Sequence, residues 1–186
     1  MDTFRLISVV LSMVLGLGVT RLLLGLVGIF RARRVSRLDW LVPTWAFSLF
    51  LVQLEYWWAI NQLPLVMDSF NFHDFMALVV LTLALFVAAA LLVPSRPEDE
   101  AGSLRQFFEL DGKWALPALS AFFVMGFLAN VFFLQVSPIS WWGLFDIPLV
   151  AIPLVVFTTK SRRLQEVLSA AFVPLLAVDV AISLVS

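Results

Sequence analysis

The sequence predicts an all-α fold: a polytopic membrane bundle of six transmembrane helices, one domain over residues 1–186, with N- and C-termini both extracytoplasmic. Three observations predict it. Of 186 residues, 62% are hydrophobic and 13% charged, against roughly half and a quarter in a soluble domain. A chain this size cannot hide that excess in one core. Apolar stretches of about 20 residues, enough to cross a ~30 Å hydrocarbon layer, recur six times. Lys and Arg gather in alternate connections. A β-barrel would need alternating strands of about ten residues, which are not seen.

The six spans fall at about residues 5–30, 39–62, 73–94, 114–137, 143–159 and 164–185. The first is read as a retained span rather than a cleaved signal. Its apolar run, Leu6 to Phe30, is too long for a signal core, and the basic cluster follows it. Helical spacing puts Gly18, Arg21, Gly25 and Gly28 on one face, which lets another backbone approach closely. Ser12, Gly16 and Thr20 form a second small-residue stripe, so the span is expected to be central. The second span carries Thr44, Ser48, Glu55 and Gln62 as a polar stripe. The third has almost no polar residue and is expected to face lipid or another subunit. Asp146 in the fifth reads as an N-cap, with Pro148 inside the first turn and Trp141-Trp142-Gly143 as an interfacial approach. In the sixth, Ser169, Asp179 and Ser183 share a face near Pro174.

Turn formers and charges mark the connections: Pro64, Asp68 and Asn71 in the second, Pro94, Pro97 and Glu98-Asp99-Glu100 in the third, Pro138 in the fourth. Arg31, Arg33, Arg34 and Arg37 fill the first connection, Arg96, Arg105 and Lys113 the third, and Lys160, Arg162 and Arg163 the fifth. The second and fourth have none, so the odd connections are expected to be cytoplasmic, with Arg5 the dissenting charge. Trp40, Trp114, Trp141 and Trp142 fit an interfacial belt, and Trp57 and Trp58 either join it or wall a cavity. Within 95–113 the stretch from Ser103 reads either as a short amphipathic helix, with Phe107, Phe108 and Leu110 in the headgroups, or as a solvated loop with a few anchors. The order of spans has the topology of an inverted repeat, but the halves show no residue-level match. The Gly-rich first span ending in arginines resembles small bacterial membrane proteins. The resemblance implies no activity; the expected location is a bacterial cytoplasmic membrane.

Ionisable residues at membrane depth are expensive and usually face protein or a water-filled cavity. Arg21, Glu55, Asp146 and Asp179 are the candidates, and Asn130 lies at a similar depth to the acids. Three carboxylates and one guanidinium leave excess negative charge in a low dielectric. Either the acids hold protons, or they bind a cation, or the site is an aqueous vestibule. The expected function is membrane transport or a channel-like role, binding a small cation, proton or polar solute at Glu55. Arg21 is then the counter-charge, with Asp179, Asn130 and Asp146 completing the site. The alternative is a non-transporting scaffold or regulatory subunit whose buried charges are structural. An enzyme is not expected: Cys is absent and His73 is the only histidine, and no phosphate loop, dinucleotide fingerprint or nucleophile elbow occurs. No cofactor, no metal and no nucleic-acid partner are expected. The lipid bilayer is the expected partner, and a homo-oligomer is expected under either function.

Overall fold

The computed structural model describes residues 2–32, 39–66, 71–94, 103–133 and 141–183. The expectations on Arg5, Arg33, Arg34, Arg37, Asp68, Arg96, Pro97, Glu98-Asp99-Glu100 and Pro138, and on the Trp141 and Trp142 side chains, lie outside what is described. Among the described residues the structure is helical, without strands. The elements are α1 (Asp2–Ala32), α2 (Leu41–Val66), α3 (Phe72–Leu92), the short α4 (Leu104–Leu110), a 3-10 turn (Gly112–Trp114), α5 (Ala115–Phe133), α6 (Trp141–Thr158) and α7 (Arg162–Ser183). Among the described residues, four stretches are long and apolar enough to cross a membrane: Ile7–Arg31, Phe72–Leu92, Gly112–Phe132 and Arg162–Ser183.

Helix ends follow local chemistry. Asn71 caps α3 by accepting from the backbone of His73 and Asp74, while the Asp74 carboxylate accepts from the Asn71 N–H at 2.9 Å. This reciprocal box satisfies donors that the first turn leaves unpaired. Asp39 does the same for α2, accepting from Leu41 N at 3.0 Å. Arg31 lies in the last turn of α1, where a cation suits the helix dipole. Pro64 does not end α2 as expected; it lies inside the helix, as do Pro148 and Pro153 in α6 and Pro174 in α7.

The six long helices close into a ring in the order α1, α3, α5, α6, α7, α2, with α2 also touching α3 across it. Aromatic rings from three helices meet inside. Trp45 stacks on Phe172 at 4.8 Å, Phe172 meets Phe123 at 6.3 Å, Phe123 meets Phe122 at 5.6 Å, and Phe122 meets Tyr56 edge-on at 5.4 Å. Lipid tails are as apolar as these side chains, so close packing and interhelical hydrogen bonds hold such a bundle together more than burial does.

The third span was expected to face lipid or another subunit. In the structure α3 has two faces: one packs against α1, α2 and α5 and buries Leu78, Leu81, Leu85, Ala88, Ala89 and Leu92, and the other leaves Met76, Val80, Leu83 and Val87 exposed. Apolarity does not separate inside from outside in a bilayer; the two alanines, which let a neighbour approach, were the better signal. The glycine face of α1 does point inward. A Cβ at Gly25 would lie 2.4 Å from the Val93 Cβ, and one at Gly18 would lie 2.6 Å from the Gln53 Nε2. The second stripe divides: Gly16 and Thr20 are exposed, with nothing within 4 Å of a Cβ at Gly16, while Ser12 accepts from Trp57 Nε1 of α2 at 3.2 Å. So α1 is a wall helix with one packed face. Phe108 is fully buried against the bundle rather than in headgroups, while Leu110 is exposed. Trp40, Trp114, Trp57 and Trp58 are all exposed on the bundle's outside.

Candidate functional site

Glu55 sits near the middle of α2, which, like α6, is not among the four apolar candidates. The same residues that lower its hydropathy face other helices: Ser48, Gln53 and Tyr56 are all buried. The polar stripe read from the sequence is therefore partly an interior face. From α7, the Ser183 hydroxyl donates to Glu55 Oε1. Asp146 of α6 lies close enough to act on Glu55 electrostatically, and Asp179 of α7 feels the charges of both. All three acids are half-buried. Three consecutive helices of the ring thus each direct a carboxylate to one locality.

Asp146 does not cap a helix. α6 begins at Trp141, five residues earlier, so Asp146 and Pro148 are both interior. A mid-helix proline removes one backbone bond, which membrane helices tolerate when neighbours compensate. The aspartate is then free to project sideways from a helix instead of folding back on its end.

Arg21 is placed elsewhere. Its Nη2 donates to the carbonyls of Val93 and Pro94, both at 3.0 Å. These carbonyls end α3, where the chain turns extended at Val93 and the helix dipole is negative. The close approach at Gly25 brings that terminus within reach. Asn130 is exposed on α5, and among the described residues no hydrogen bond joins it to the acids. The structure therefore gathers Glu55, Asp146 and Asp179, and sets Arg21 and Asn130 in other surroundings.

A second charged group was not singled out in the sequence. Asp39, just before α2, accepts two hydrogen bonds from Arg162 Nη2 at 2.5 and 2.6 Å. Arg162 also donates from Nε to Glu166 at 2.8 Å. Arg162 had been counted only as a connection charge, and nothing in its local sequence marks it as buried. Tyr56 was also missed. Its hydroxyl donates to the Leu78 carbonyl at 2.8 Å and lies 3.3 Å from Thr82 Oγ1. On another face of α2, toward α7, Trp45 Nε1 donates to Ser169 Oγ at 2.9 Å.

Among the described residues, no three His, Cys, Asp or Glu side chains are arranged to hold a metal ion. A groove of about 430 Å³ between α3 and α5, lined by Met76, Val80, Met125, Leu128 and Phe132, is apolar and none of the acids borders it.

The class these features define is a helical membrane protein with charged side chains held between its helices. The chain matches no family model, and no curated protein or solved structure is significantly similar to it.

Proposed function

We propose that the chain is a six-span transport or channel-like protein of a bacterial cytoplasmic membrane that takes up a proton at the Glu55, Asp146 and Asp179 cluster. The convergence of three carboxylates from α2, α6 and α7 carries this reading. Negative charges so placed in a poorly polarisable medium repel one another and are poorly solvated. A bound proton or cation relieves both penalties. Glu55 is the principal acceptor, since Ser183 orients its carboxylate, and Asp179 and Asp146 set the field around it. Basic residues at the ends of α1 and α6 and the start of α7 support a cytoplasmic placement for those ends.

A second reading has a specific observation behind it. The Asp39–Arg162–Glu166 group, with Asp39 buried, Arg162 partly buried and Glu166 at the surface, ties α2 to α7 by charge alone, and a scaffold would use the acids in the same way. Glu55→Gln separates the two. In liposomes holding a pH-sensitive dye, the variant should fold and lose proton-dependent signal. Undiminished flux in a well-folded variant refutes the assignment of Glu55.

A further inference from the structure

The inward face of α7 has an order that the acid cluster does not use. Arg162, Gln165, Ser169, Phe172, Leu176, Asp179 and Ser183 follow one another at alternate spacings of three and four, which puts them on one stripe. The stripe is polar, then apolar, then polar. Gln165, Ser169, Phe172 and Leu176 are essentially inaccessible. Asp179 and Ser183 belong to the acid locality at one end, and Arg162 joins Asp39 at the other.

The polar half at the Arg162 end is incompletely satisfied. Gln165 donates from Nε2 to the Thr159 carbonyl, but its Oε1 has no partner. Arg162 Nη1 and, from α2, Ser48 Oγ are likewise buried without a partner among the described residues. A buried donor and acceptor left unpaired are costly, and water is the usual molecule that satisfies them. Between this half and the acids stand Phe172 and Leu176, with Phe172 held by Trp45 on one side and Phe123 on the other.

We propose that the seam between α2 and α7 is the proton route linking the acid cluster to the Asp39–Arg162 end, with Phe172 and Leu176 as its closed apolar gate. The proposal rests on the proton-binding reading above. Water along Gln165, Ser169 and Ser48 carries the proton on one side; the carboxylates accept it on the other. Phe172 and Leu176 interrupt the chain by excluding water, as apolar constrictions do in channels.

Proton flux into dye-loaded proteoliposomes tests the route. Phe172→Ala and Leu176→Ala should each raise it about tenfold, the effect of removing roughly 1.4 kcal/mol of barrier. Adding Gln165→Leu to Phe172→Ala should reverse most of the gain. The chain has no cysteine, so Ser169→Cys gives a unique thiol for a small water-soluble reagent. Its labelling should accelerate in either gate background. Unchanged flux and unchanged labelling in monodisperse Leu176→Ala protein overturn the route, whether or not Phe172→Ala folds. The proton reading fails separately, if infrared difference spectra of wild type show no protonated carboxyl band that Glu55→Gln removes.

Discussion

Replacing Asp39 with asparagine removes one charge from a buried pair while keeping the shape and the oxygen that caps α2. Asp39 is 6% exposed and Arg162 20%, and the two oxygens of Asp39 share Arg162 Nη2. Breaking a fully buried pair from one side costs about 3–5 kcal/mol. The partial exposure of Arg162 and its remaining bond to Glu166 lower this to about 2–3 kcal/mol. Asp39→Ala also loses the bond to Leu41 N, adding about 1 kcal/mol. Reversible unfolding in mixed detergent–lipid micelles, followed by circular dichroism, measures both. The double variant Asp39→Asn, Arg162→Met should regain much of the loss, giving a coupling of about 2 kcal/mol. A loss for Asp39→Asn within about 0.5 kcal/mol of wild type, or additive losses in the cycle, refutes the view that this pair fixes α7 against α2.

Three further outcomes can be checked in the same assay. Gly25→Ala should destabilise by about 1–3 kcal/mol, because its Cβ meets a branched side chain, whereas Gly16→Ala, in open space, should be neutral or slightly stabilising. Tyr56→Phe should cost about 1 kcal/mol, since Thr82 already bonds the Leu78 carbonyl that the phenol leaves. Arg21→Ala and Glu55→Gln should lose stability additively, because Arg21 acts at the end of α3 and Glu55 beside α7; coupling above about 0.5 kcal/mol would place Arg21 in the acid site after all.

The membrane character and the approximate helix positions were legible because span length and charge placement are properties of the chain itself. Glu55, Asp146 and Asp179 were legible for a related reason: a carboxylate in an apolar run stands out. What each residue faces was not. Arg21 is conspicuous as a charge inside an apolar span, but it meets the carbonyl end of α3, and no pattern in α1 distinguishes a carboxylate from a carbonyl. Asp39 and Arg162 looked ordinary because each lies at a span boundary, where charges are common. Their pairing joins positions 123 residues apart. Asp146 was misread because proline is usual in a first turn, while in α6 it occupies the interior.

The interior prolines also divide the ring. Each helix that carries an acid of the cluster contains at least one: Pro64 in α2, Pro148 and Pro153 in α6, Pro174 in α7. These three are neighbours, and α1, α3 and α5 form the opposite arc. A helix lacking a backbone bond bends most readily at that point. One arc is therefore a stiff frame with unbroken backbone ladders and the other is jointed, and the carboxylates ride on the jointed arc. Any change in their mutual separation can proceed by flexing those joints, while the glycine-to-valine contact between α1 and α3 stays fixed.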